Sequence, residues 1–224
     1  DVAYYDQIDT LPNAQNVGTD FTRLATSQVA LRYNDVRRSI GAVDDEKGTK
    51  GELAYRGSYV NGQLTPQVAG GFDLGFALPL AHSSIWLRTA GGFANGDRNS
   101  TVANFYFGGF GNNYVDDKSV RRYREYSSFP GFEIDQISAL SFVRELVELN
   151  LPPHVFESAG TPGLFLQYLQ PSVFVAGLRS DPGNSALRKD YASVGGQVDL
   201  HFSILHRYDM TLSAGFAVGY QGSQ

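Results

Sequence analysis

At 224 residues the chain can form one domain, and a hydrophobic fraction of 42% would support a sizeable core. Gly (25), Phe (15) and Tyr (13) are abundant, while charged residues reach only 18%, below the roughly 25% of ordinary globular chains. The absence of cysteine excludes disulfide frameworks and thiolate metal sites, and a net charge of −5 gives no basic surface for nucleic acid.

The longest apolar runs fall far short of the ~18–20 residues of a spanning helix, so in a membrane this composition has to span with strands. Gly with aromatic and β-branched residues reads as all-β. Asp1 to Asp20 is polar and turn-rich, a loop or partial strand, which divides the chain into 1–20 and 21–224. Strands are expected at Arg23 to Asn34, Arg37 to Asp44, Lys50 to Val60, Gln67 to Leu80 and Ser84 to Ala94. A long loop, Asn95 to Gln136, follows. Its aromatics (Phe105, Tyr106, Phe107, Phe110, Tyr114, Tyr123, Tyr126, Phe129 and Phe132) would expose too much apolar area if it lay in water.

The next segment, Ile137 to Leu151, places Leu140, Val143 and Val147 at helical spacing. It reads as a strand because Pro152-Pro153 closes it and its neighbours are long strands. Leu164 to Arg179, Tyr191 to Leu205 and Met210 to Tyr220 complete about nine strands, at the ~20–25-residue spacing of tilted spanning strands with their connections.

The last pair carries the clearest pattern. Val194, Val198, Leu200, Phe202 and Ile204 alternate with Ser193, Gln197, Asp199, His201 and Ser203. After a short turn, Met210, Leu212, Phe216, Val218 and Tyr220 alternate with small or polar residues. Such alternation demands a strand with different solvents on its two faces. A soluble sandwich also alternates, but strands of 11–15 residues exceed the ~5–6 of soluble sheets and match a tilted bilayer span. Val198, Leu200, Phe202, Leu212, Phe216 and Val218 should then face lipid, and Gln197, Asp199, His201 and Ser213 a polar lumen. Tyr33, Tyr59, Trp86, Phe93, Tyr168, Tyr191, Tyr208 and Tyr220, near strand ends, suit interfacial girdles, or else ordinary core packing. The fold class is therefore all-β, a partial transmembrane antiparallel β-barrel. Because Asp1 has no leader before it and the final alternation stops at Gln221-Gly222-Ser223-Gln224, the barrel is expected to be truncated at both ends, with an exposed edge.

From Ser84 onward the chain resembles the C-terminal barrel of the BamA-type superfamily, or bacterial surface antigen family. Asn104-Phe105-Tyr106-Phe107-Gly108-Gly109-Phe110 resembles that family's aromatic, Gly-Gly approach to its long extracellular loop. Ser128-Phe129-Pro130-Gly131-Phe132 stands where the loop signature, Arg-Gly-Phe or Arg-Gly-Tyr, is found. Val147-Glu148-Leu149-Asn150-Leu151-Pro152 is similar to the next strand, with its glutamate before a periplasmic Pro turn, and Tyr191 to Gly196 to the penultimate hairpin. The resemblance implies the bacterial outer membrane, a closed barrel of about sixteen strands, and protein assembly or secretion as the task. It implies membrane lipid and client polypeptides or periplasmic partner domains as partners, and no cofactor. It also places Pro130, Gly131 and Phe132 at a loop tip inside the lumen, near Glu148 on the wall. Pro130 departs from the family, whose Arg anchors the loop by polar contacts that Pro cannot make. Arg121-Arg122-Tyr123-Arg124 could substitute for it, but a solvated loop is the favoured reading. A passive channel for small solutes, or an anchor for an N-terminal propeller or enzyme domain, are the alternatives.

No enzyme is legible. His82, His154, His201 and His206 are scattered. His201 and Asp199, two apart on one face, could form a metal or acid–base pair, though a hydrated lumen pair is the simpler reading. No serine lies in a Gly-x-Ser-x-Gly elbow, and no Lys-Ser or Lys-Thr follows Gly91-Gly92 or Gly108-Gly109. Asp44-Asp45-Glu46-Lys47 and Asp116-Asp117-Lys118 read as exposed turns.

Overall fold

The computed structural model describes residues 1–8, 21–111 and 120–222. Tyr114, Asp116 to Lys118 and most of Asp1 to Asp20 therefore lie outside the described residues. In chain order the strands are β1 (Val2–Asp6), β2 (Arg23–Arg37), β3 (Lys47–Val60), β4 (Gln63–Ala77), β5 (Ser84–Ala94), β6 (Phe105–Phe107), β7 (Ile137–Ala139) and β8 (Ser141–Asn150). They continue as β9 (His154–Val155), β10 (Gly160–Thr161), β11 (Leu164–Ser180), β12 (Lys189–Ile204) and β13 (Tyr208–Gln221), with one 3-10 turn at Arg122–Arg124.

One antiparallel sheet dominates, in the order β1-β2-β3-β4-β5-β8-β11-β12-β13, with β9 and β10 added to β11. The all-β reading is borne out. The sheet is open, since no ladder joins β1 to β13 and both are edges among the described residues. Neighbours follow one another in the sequence except where the short β9 and β10 lie between β8 and β11, and where 95–140 intervenes between β5 and β8, which pair directly over Ser84–Phe93 and Ser141–Asn150. The end from which that segment leaves is called the loop end. The opposite end carries the connections 38–46, 78–83 and 151–153 and is called the turn end.

Beyond shifts of a few residues at strand ends, three elements differ from the sequence reading. Arg37 to Asp44 is not a strand. Asn34 and Asp35 pair with Lys50 and Thr49, so β2 runs on to Arg37, and Gly41 at φ +89° then turns the chain back. Val2–Asp6 supplies the other strand of the path by pairing with Arg23–Ser27. The expected Ile137 to Leu151 strand is two: Ile137–Ala139 pairs with Phe105–Phe107, and the spanning strand begins at Ser141. Asp181 marks the break, accepting hydrogen bonds from the amides of Leu140 (3.0 Å) and Ser141 (3.2 Å). Ser141–Asn150 is extended despite its helical spacing, because a ladder on either side overrides local propensity.

Alternation along each strand separates two faces. On β8, Phe142, Arg144, Leu146, Glu148 and Asn150 are buried, while Val143, Glu145 and Val147 are exposed. The outer face is uncovered and apolar: Leu31, Leu53, Phe72, Leu212 and Phe216 are all more than half exposed. Val198 and Val218 are exposed there too, whereas Gln197 and Asp199 are buried on the inner face. Of the aromatics that suit girdles, Tyr33, Tyr59, Phe93, Tyr208 and Tyr220 are exposed, but Trp86 is buried.

The hydrophobic core lies between the inner face and the segment 95–140. Phe105, Phe107, Tyr123, Phe129 and Ile137 from the segment meet Ala69, Ala90, Phe142, Leu146, Phe174 and Leu178 from the sheet. The Phe142 ring takes edge contacts from Phe105 and Phe107 at 4.9 and 4.8 Å, and Tyr123 stacks on Phe174 at 4.5 Å.

Candidate functional site

Alternation on the strands brings polar residues to one region of the inner face near the turn end. Glu148 of β8 is fully buried there, beside Arg88 of β5, whose Nε donates to Glu148 Oε2 at 2.9 Å and whose Nη1 donates to Asp73 of β4. Asp199 of β12 accepts from Gln197 at 2.6 Å and Ser213 at 2.7 Å. From the long segment, the turn 121–124 reaches into this carboxylate-rich surface. Arg124 Nη2 donates to Glu148 Oε1 at 2.7 Å, Arg121 Nη1 approaches the same oxygen at 3.3 Å, and Arg121 Nε donates to Asp199 Oδ2 at 2.9 Å. The Tyr123 hydroxyl donates to Glu148 at 2.9 Å and sits 2.9 Å from Ser172 Oγ, while Arg121 also donates to Asn150.

A fourth carboxylate comes from below. Asp44, in the turn between β2 and β3, accepts from Arg121 Nη1 at 3.1 Å and Arg124 Nη2 at 2.5 Å. Its turn is held under the sheet by Trp86, whose indole N–H donates to the Asp45 carbonyl at 3.2 Å. Arg88, Arg121 and Arg124 thus face Asp44, Asp73, Glu148 and Asp199, and Arg144, buried alongside, donates to the Tyr123 carbonyl at 2.9 Å. Pairing of Arg88, Arg121 and Arg124 with the four carboxylates is what lets these charges sit out of water.

The electrostatics follow the geometry. Burial alone would raise the Asp44 carboxyl, but the guanidiniums of Arg124 and Arg121 overcome it and hold it well below the ordinary carboxylate range. Burial and the adjacent Glu148 push the Tyr123 hydroxyl up, so it stays a neutral donor. Burial would lower Arg124, but Glu148 and Asp44 raise it, so the guanidinium stays charged.

Two sequence readings are overturned here. Arg121 to Arg124 is not a solvated loop: Arg121 and Tyr123 are buried and Arg124 is 19% exposed. Asp44 is not in an exposed turn, because the connection 38–46 folds inward to meet Arg121 and Arg124. The cationic contacts of the long segment with Glu148 thus come from Arg121 and Arg124, six to nine residues before Pro130 in the chain.

Pro130, Gly131 and Phe132 pack elsewhere on the inner face. Pro130 is buried, its carbonyl accepting from Ser193 Oγ. Gly131, at φ +92°, lies so close to β13 that a Cβ would stand 2.4 Å from the Gly219 amide nitrogen. Phe132 is half-buried and meets the Tyr191 ring edge-on at 5.5 Å. In register, Ser193 pairs with Ala176 and Ala176 with Leu146, one inner-face row nearer the loop end than Glu148. From the long segment, the groups touching Glu148 are thus Arg121, Tyr123 and Arg124, not the 130–132 tip. His201 does not join Asp199: its Nδ1 is 2.8 Å from Thr211 Oγ1, and its ring stacks on Tyr168 at 4.9 Å.

A cavity of about 520 Å³ opens at the turn end, between 37–47 and 77–82, where His82 Nδ1 lies 3.2 Å from Glu46. Among the described residues, no group of three or more His, Asp or Glu side chains could hold a metal ion, and no helix is long and apolar enough to cross a membrane.

No curated protein and no solved structure shows significant similarity to this chain. The sequence profile of the OMP85 superfamily matches residues 58–155, which span β4, β5, the long segment and β8, and so include Arg88, Arg121, Arg124 and Glu148. At the level of that family the setting is the bacterial outer membrane and the architecture a non-enzymatic barrel. Over residues 58–155 the chain is thus similar to the OMP85 superfamily, and its sheet is all-β and antiparallel.

Proposed function

We propose that the chain forms part of an outer-membrane barrel of the protein-assembly or secretion kind, with the segment 95–136 held inside the lumen. Its working parts are a wall, an internal segment and a polar latch between them. The observation that carries this reading is the pairing of Arg121 and Arg124 with Glu148. A solute channel needs only a polar lining, whereas here a whole segment with its own core is fastened across the inner face by charges that can separate. The outer face contacts lipid, and an extended client polypeptide or a periplasmic partner domain is the partner that would compete for the latch or reach it from the turn end.

The test is depletion of the protein, followed by quantification of outer-membrane and secreted proteins. Assembly or secretion activity predicts that specific clients disappear from the outer membrane or medium and accumulate in the periplasm. Arg121→Ala with Arg124→Ala should reproduce that loss while the barrel remains in the membrane. Unchanged client levels, with lost uptake of small solutes, would establish a passive channel instead.

A further inference from the structure

The outer face carries one feature that a lipid-facing wall does not explain. Glu145 is exposed on that face, on the strand whose outward side chains also include Ser141 at its start and Val143, Val147 and Leu149. It is the fifth of ten residues in Ser141–Asn150. At about 3.3 Å per residue and a tilt near 45°, such a strand covers roughly the 25 Å apolar band, which puts Glu145 at mid-depth. The neighbouring outward residues Leu87 and Phe93 of β5 and Val175 of β11 are exposed and apolar.

Two other acids on this face, both at strand ends, are paired with arginine. Asp190 lies next to the end of β12 and pairs with Arg179 at 2.6 Å, and Asp6 ends β1 and pairs with Arg23 at 3.2 Å. Among the described residues Glu145 receives only the Thr89 hydroxyl, at 2.7 Å, which satisfies one oxygen and brings no opposite charge. A carboxylate facing hydrocarbon at this depth is costly and marks an intramembrane contact. Space is left for one. Gly177, directly opposite Glu145 on β11, has open space where a Cβ would stand, so the carboxylate is bordered by a notch.

We propose that the outer face around Glu145, Thr89 and Gly177 is a docking site for a transmembrane segment of another protein that presents a lysine or arginine at mid-depth. Charge complementarity selects this occupant. A lipid tail leaves the carboxylate unpaired, and a second copy of the chain turned by the same patch would bring two carboxylates together. The inference rests on the membrane-barrel reading above.

The experiment places a photo-crosslinking residue at Val147 in the chain as it resides in its own outer membrane. The expected result is a discrete protein adduct whose crosslinked peptide carries a Lys or Arg within one turn or two strand positions of the linkage. Glu145→Leu should lower its yield tenfold or more, and so should replacing that basic residue of the partner by Leu. An adduct unchanged by Glu145→Leu, linkage to lipid alone, to a second copy, or to a segment without Lys or Arg would each overturn the proposal. Heat-modifiable mobility of the chain in the membrane fraction is scored in parallel. Its absence from the unsubstituted chain would remove the barrel reading itself, and the docking site with it.

Discussion

Glu148 holds the latch because two guanidiniums from the segment and one from β5 converge on a carboxylate with no exposure. Replacing such a buried pair with apolar residues can be neutral, but removing one partner strands the others. Glu148→Ala is expected to destabilise the folded barrel by about 3–5 kcal/mol, measured by urea unfolding in lipid vesicles. Tyr123→Phe should cost less, about 1.5–3 kcal/mol, since it removes one hydrogen bond to a charged group. Asp44 sets the acid response. Its pKa is depressed on folding, so its contribution is fully present above the ordinary carboxylate pKa of about 3.9 and is lost as pH falls through the lowered value. Stability should therefore stay flat from neutrality to about pH 5 and decline below about pH 4, with a shallower decline in Asp44→Asn. At this scale sequence gave partial access. Gln197 and Asp199 were legible as inner-face groups from period-two alternation. Asp44 with Arg121 and Arg124 was not, because an acidic turn and a basic loop 77 or more residues apart carry no local sign that they meet.

Two elements position the latch, the strand β8 and the segment that follows β5. The strand's helical spacing is misleading because propensity is outweighed by ladders to β5 and β11, and proline closure was the legible counter-signal. The segment's aromatic density made its packing legible, but not which part would reach the acids. Its fit against β13 is close at Gly131, where both φ and the approach to Gly219 exclude a side chain. Gly131→Val is expected to lift the 129–132 stretch from the inner face. Limited proteolysis should then cut near Phe129 to Phe132 in the variant and not in the parent, and equal resistance of the two would show that this packing is dispensable.

At the scale of the molecule the two faces of one sheet do opposite work. The outer face leaves Phe216 at 75% exposure, whereas the inner face buries charge under a segment with its own aromatic core. Exposed apolar area of this extent is stable only against lipid or another protein. Phe216→Arg should therefore cost up to about 2–4 kcal/mol in bilayers. The strand path was largely legible because long period-two patterns fix both element type and face. The expected strand at Arg37 to Asp44 is absent because Asn34 and Asp35, turn-prone by residue type, continue the ladder of β2 to β3. The most direct test of a barrel carrying an internal segment exploits the absence of native cysteine. Phe132→Cys and Tyr191→Cys, at rings now 5.5 Å apart, are treated with a short bismaleimide in intact outer membranes. The account predicts efficient internal crosslinking in a species that keeps heat-modifiable mobility. Free labelling of position 132 by a membrane-impermeant maleimide, with no crosslink to position 191, would contradict it.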